Sequence, residues 1–120
     1  SGNLSNSASA YYLSGRAKYR TGKLMQAVED LTKAMVLSEA QFYRGLAKAK
    51  LLDYRGASED LELFLKSDAS KYSELFPEAY YFLGLSKCRT GFKDEGCIYF
   101  SKAGELGYTQ AYSAIRKYCN

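Results

Sequence analysis

The stretch Tyr80–Ala103, YYFLGLSKCRTGFKDEGCIYFSKA, decides the fold. Gly84 stands where two helices must approach closely. Gly91 stands where the first of them must end, glycine being the usual residue just past a helix terminus. Gly96, Phe100 and Ala103 mark one face of a second helix at spacings of four and three. The unit occurs three times. Aligned on Gly15, Gly45 and Gly84, the residues twelve on are Ala27, Ala57 and Gly96, all small. Those sixteen on are Leu31, Leu61 and Phe100, all large, and those nineteen on are Ala34, Phe64 and Ala103. Small residues let two backbones approach, and the large one fills the space between them.

Working outward, helices are expected at about 8–20, 23–37, 39–52, 56–66, 77–90, 93–106 and 109–119. Gly22 and Gly91 stop two first helices, and Leu52 takes that place in the second copy. Pro77 suits a first helical turn, where a missing N–H costs nothing. No segment alternates with period two, so no sheet is expected. The copies span about 8–38, 39–66 and 77–107. Residues 67–76 form a loop with room for one helical turn, and 109–119 form a capping helix that shows Ala111, Ala114, Ile115 and Tyr118 on one face. Residues 1–7 read as a disordered end ahead of a single domain, 8–119. Gly15 and Gly45 are 30 residues apart, and Gly45 and Gly84 are 39 apart. The first spacing forces a tight reversal near Ser38-Glu39, and the second holds the insertion before Pro77.

Composition bounds the function. The chain has 120 residues, a net charge of +4, twelve Tyr, no Trp and no His. No apolar run approaches the length of a membrane-spanning helix. The charge is too small to imply nucleic acid by itself, and the absence of His removes the commonest general base and metal ligand. There is no Gly-rich phosphate loop, metal-ligand cluster or nucleophile with a base, so neither an enzyme nor a cofactor or metal site is expected. Glu59-Asp60 and Asp94-Glu95 are adjacent carboxylates about 100° apart on a helix and read as solvated surface.

These residues resemble the tetratricopeptide repeat family over about residues 8–119. The signature is a small residue at the eighth position (Gly15, Gly45, Gly84), a small one at the twentieth, a large one at the twenty-fourth and Ala near the twenty-seventh. The second copy departs, with Leu52 for the usual Gly and Phe64 for the usual Ala, so looser or re-angled packing is expected there. The tail KAGELGYTQAY is similar to the related Sel1-like repeat. Both families are right-handed helix-pair solenoids that serve as interaction scaffolds. The resemblance therefore implies an all-α solenoid of three helix pairs plus the cap. The run from Gly96 to Cys119 also resembles the end of many exported bacterial tetratricopeptide proteins. That implies an exported location, whether periplasmic, envelope-associated or secreted, and a Cys97–Cys119 disulfide with Cys88 free. Two buried thiols are the alternative, and three free thiols would point to the cytoplasm.

In the family, the first helix of each pair lines the concave side. Carried over position by position, the groove residues are Tyr12, Phe42 and Tyr81, an aromatic ladder; Arg16, Leu46 and Leu85; and Arg20, Lys50 and Arg89, a basic ladder. Rings supply contact area at low entropic cost, and cations hold carboxylates or carbonyls. Ordinary inter-helix packing for the rings and a solvated face for the cations are the competing readings. The three first helices carry eight cations against two carboxylates and the second helices six against eight, so an acidic segment is favoured. The family's chaperone-tail clamp is absent, since Tyr12, Arg16, Tyr43, Leu46, Glu78 and Phe82 occupy its places. The expected function is protein–protein interaction, with a peptide or protein segment in the groove. One alternative is a scaffold that self-associates or assembles envelope complexes through its convex face or ends. The other is an anionic polymer, single-stranded nucleic acid or glycan, on the basic aromatic wall.

Overall fold

The computed structural model of the chain describes residues 3–67 and 70–120. Among the described residues seven α-helices follow one another: α1 Asn3–Arg20, α2 Leu24–Thr32, α3 Ser38–Lys50, α4 Tyr54–Lys66, α5 Phe76–Arg89, α6 Lys93–Glu105 and α7 Gln110–Tyr118, with a short 3₁₀ segment at Ser70–Leu75. No strand occurs among the described residues. Each helix packs on the next, and α1 also touches α3, α3 touches α5, and α5 touches α7. The stack measures 51 × 27 × 22 Å. None of the described helices is long and apolar enough to cross a membrane.

The glycine alignment marks real close approaches. In the third pair, a Cβ on Gly96 would lie 2.7 Å from the Gly84 carbonyl oxygen, and one on Gly84 would lie 2.8 Å from the Phe100 ring. Backbone meets backbone there, so no side chain can move aside to make room. A Cβ on Gly15 or Gly45 would instead meet a side chain, Leu31 at 2.6 Å or Leu61 at 2.8 Å.

Two clusters form the core. Ala8, Tyr12, Ala27, Leu31, Ala34 and Ala40 pack at the α1–α3 end. Phe42, Leu46, Leu61, Phe64, Ala79 and Leu83 pack from α3 to α5.

Element boundaries differ from expectation in several places. Helix α1 starts at Asn3, ahead of the expected start at 8; residues 1 and 2 lie outside the described residues. Burial of Ala8 one turn in ties this end to the first cluster. Helix α2 stops at Thr32 rather than at 37. The chain turns over Lys33–Leu37, with the Ala34 and Leu37 N–H groups donating to the carbonyls of Leu31 and Ala34. With α3 starting at Ser38, only these tighter three-residue hydrogen bonds can reverse the chain in the space available. Helix α4 begins at Tyr54 rather than 56, because the Asp53 side chain accepts from the Gly56 N–H at 3.0 Å and caps it.

The second pair keeps the backbone of the other two despite its sequence. Four helices end on the same bond, in which an N–H reaches back five residues: Lys23 to Lys18, Asp53 to Lys48, Phe92 to Lys87 and Tyr108 to Ala103. That closure needs a left-handed residue. Gly22, Gly91 and Gly107 supply it at φ +83°, +93° and +98°, and Leu52 is forced to φ +67°. The looser packing expected at Phe64 is not found. Phe64 is fully buried, with Phe42 at 5.3 Å and Phe76 edge-on at 5.8 Å. The insertion before Pro77 brings Phe76 over it, so the larger side chain fills space rather than opening it. Leu52 is mostly exposed, so Leu52→Gly removes steric strain and little packing. The variant is expected to gain about 1 kcal/mol, measured as a higher urea midpoint at unchanged slope.

Candidate functional site

A groove of about 670 Å³ opens between α3, α5 and α7. Tyr81, Phe82 and Leu85 of α5 and Ala114 of α7 form its floor. Lys50 and Glu78 stand at one end with Tyr108, and Tyr54, Arg89, Lys117 and Tyr118 stand at the other. The helical periodicity of α5 explains the placement. Ala79, Leu83 and Ser86 face the core, which leaves Glu78, Tyr81, Phe82, Leu85 and Arg89 on the groove side.

The rings form a connected wall. Tyr81 lies 4.8 Å from Tyr108, 5.1 Å from Phe82 and 5.6 Å from Phe100, whose other neighbour is Tyr118 at 6.0 Å. Cations lie over the rings. Lys50 is 4.6 Å from the Tyr19 centroid and 5.9 Å from that of Phe82, and Arg89 is 5.1 Å from Tyr54. Burial raises the pKa of Tyr81 and pushes that of Tyr108 up to about 12, with Glu78 adding to the Tyr108 shift. Both hydroxyls therefore stay protonated, as hydrogen-bond donors rather than bases. Burial also raises the Glu78 carboxyl, and Lys50 opposes it.

The first-helix cations divide into two sets by what they touch. The set three residues after each aligned glycine is tied to carboxylates. Lys18 meets Asp30 at 2.7 Å, Lys48 meets Asp60 at 3.4 Å, and Lys87 meets Glu62 at 3.0 Å and Glu95 at 3.6 Å. Arg44 adds two hydrogen bonds to Asp60, each 2.7 Å. The set five residues after each glycine, Arg20, Lys50 and Arg89, has no ion pair among the described residues. Asp60 thus corrects one expectation: it is 3% exposed rather than solvated. Burial of a carboxylate is tolerable there because Arg44 and Lys48 compensate its charge. A sequence signal existed for this pairing, since Lys18–Asp30 and Lys48–Asp60 share one spacing of twelve.

Of the nine positions carried over from the family, four come together in the groove: Lys50, Tyr81, Leu85 and Arg89. Phe42 and Leu46 do not. Both are fully buried, because α3 is flanked by α1, α2, α4 and α5. Tyr12 is also buried, packed near Tyr43. Arg16 lies over the Tyr12 ring and donates to its hydroxyl at 3.2 Å. Tyr12 and Arg16, with the exposed Arg20, lie outside the groove lining. In α5 the equivalents Tyr81 and Leu85 stay half-exposed, because only the short α7 flanks that side.

Sequence reasoning missed the residues of the last helix and of the turn before it. Tyr108, Gln110, Ser113, Lys117 and Tyr118 line the groove, whereas α7 was expected only to cap the stack. The run of polar residues on its outer face was the available signal. A disulfide joins Cys97 in α6 to Cys119 after α7, with Cα atoms 5.9 Å apart, and Cys88 is the free thiol among the described residues. Burial raises the Cys88 pKa, so it remains a thiol rather than a nucleophilic thiolate. No protein-family model and no curated protein sequence matches the chain.

Proposed function

We propose that the chain is a protein–protein interaction module that holds a peptide or protein segment in the groove between α3, α5 and α7. On this reading it is a right-handed solenoid of three tetratricopeptide-like helix pairs with a capping helix, Sel1-like in its C-terminal part, and the groove lies on its concave side. The carrying observation is the groove itself: a connected aromatic wall whose flanking cations, Lys50, Arg89 and Lys117, form no ion pair among the described residues. Rings with unpaired cations are what a bound segment can use for contact area and for polar anchoring. The disulfide supports an exported location.

The test is selection of a displayed library of random twelve-residue peptides on the oxidised protein. Enriched peptides are expected to lose binding by about a hundredfold on Lys50→Glu/Arg89→Glu. Both side chains are exposed, so this variant should keep its fold. Undiminished binding to it contradicts the groove, and no enrichment contradicts the module.

A second reading, self-association or assembly through the ends and outer face, draws on the exposed side chains Met25, Val36 and Leu52 and on the dent that Met25 and Leu51 share. A concentration-dependent dimer in sedimentation, lost in Met25→Ser/Leu52→Ser, would favour it.

A further inference from the structure

The groove is electrically polarised along α5. Glu78 stands in the first turn of the helix and Arg89 in its last, about 16 Å apart at about 1.5 Å of rise per residue. Tyr108 sits near Glu78, whose charge it feels, and Tyr118 sits by Arg89, whose guanidinium its hydroxyl engages. The two ends differ in what they lack. Glu78 is half-buried and has neither a hydrogen bond nor an ion pair among the described residues; Lys50 acts on it only through space. A carboxylate drawn out of water with no donor is unfavourable until a donor reaches it. At the far end Arg89 and Lys117 lie over the Tyr54 and Tyr118 rings, with no ion pair to a carboxylate among the described residues.

From this polarity we infer that the groove selects a dipolar peptide segment: an ammonium or guanidinium at Glu78, a carboxylate at Arg89 and Lys117, and apolar side chains between them on Tyr81, Phe82 and Leu85. An extended chain advances about 3.3 Å per residue, so the two charges stand about five residues apart. The polarity also fixes the direction in which the segment lies. This inference deepens the groove reading and rests on it. It differs from a simple preference for acidic segments, because one end of the site asks for a cation.

Three labelled peptides with blocked ends and one shared Leu-Phe centre test it by fluorescence anisotropy on the oxidised full chain. One carries Lys and Glu about five residues apart, one carries Glu at both places and one carries Lys at both. The Lys/Glu peptide is expected to bind about tenfold more tightly than either of the others. Glu78→Gln should remove its advantage over the Glu/Glu peptide, and Arg89→Gln its advantage over the Lys/Lys peptide, with unchanged circular dichroism in each. If the Glu/Glu peptide binds as tightly as the Lys/Glu peptide, the dipolar preference is overturned. The groove reading survives that result provided Lys50→Glu/Arg89→Glu still weakens both. If none of the three binds below about 1 mM, both fail. Tighter binding of a thymidine oligonucleotide than of any peptide overturns the inference in favour of a nucleic acid.

Discussion

Phe42→Ala is expected to cost about 4 kcal/mol of stability and to lower the midpoint of thermal unfolding by about 15 °C. The family resemblance places Phe42 on a binding surface, where truncation would spare the fold and weaken only a partner. The structure places it in the core, fully buried, with its ring 4.9 Å from Tyr43 and 5.3 Å from Phe64. Its neighbours Leu46, Leu61, Ala79 and Leu83 come from three helices and cannot all collapse into the space an alanine leaves. The loss is a large part of the roughly 5–15 kcal/mol that holds a domain folded. Lys50→Ala, on an exposed groove side chain, should stay within about 0.5 kcal/mol of wild type. Urea unfolding followed by circular dichroism separates the two. A Phe42→Ala protein as stable as wild type would return that ring to the surface.

Breaking the Cys97–Cys119 disulfide has the next largest expected effect. Its ends are 22 residues apart in sequence, and releasing a loop of that size costs about 3 kcal/mol on the chain-entropy account. The loss should be concentrated at α7. That helix has nine residues and fully buries only Ala111 and Ala114. A helix so short is not stable alone in water. Beyond the disulfide, Tyr112 donates to the Gly104 carbonyl at 3.1 Å, and Tyr118 stacks near Phe100. In Cys97→Ser/Cys119→Ser, amides of Gln110–Tyr118 should exchange with solvent well before those of α3 and α4. Because α7 forms one wall of the groove, binding should weaken with it. Unchanged exchange at α7 would mean that side-chain packing alone holds the helix.

The fold was legible where the deciding interaction is local and steric. Gly15, Gly45 and Gly84, and the large residues sixteen positions on, announce their contacts because nothing else fits between two helices at that distance. Leu52 was legible as an anomaly, but its consequence was misjudged. Hydrogen bonding at the end of α3 imposes the left-handed backbone even on a branched side chain. The end of α2 was not legible, since Lys33–Leu37 contains neither Gly nor Pro. The short distance to α3 ends that helix, not the residues themselves.

The candidate site was legible in half. Lys50, Tyr81, Leu85 and Arg89 share the groove because α5 has an open side. Equivalent positions in α1 and α3 have different neighbours, so transfer by position failed at Tyr12, Phe42 and Leu46. Asp60 was misread because adjacent carboxylates look solvated in one dimension, whereas its partners Arg44 and Lys48 lie on another helix. Glu78 becomes noteworthy only once Tyr19, Tyr108 and Lys50 are brought near it.

The central claim is that the groove between α3, α5 and α7 is the contact surface. Hydrogen–deuterium exchange of the oxidised chain, with and without a peptide enriched from the random library, tests it most directly. The account predicts added protection in α5 around Tyr81–Arg89 and in α7 around Ser113–Tyr118, with α2 and the outer face of α6 unchanged. Protection confined to α2 and α6, with α5 and α7 exchanging as before, would contradict it.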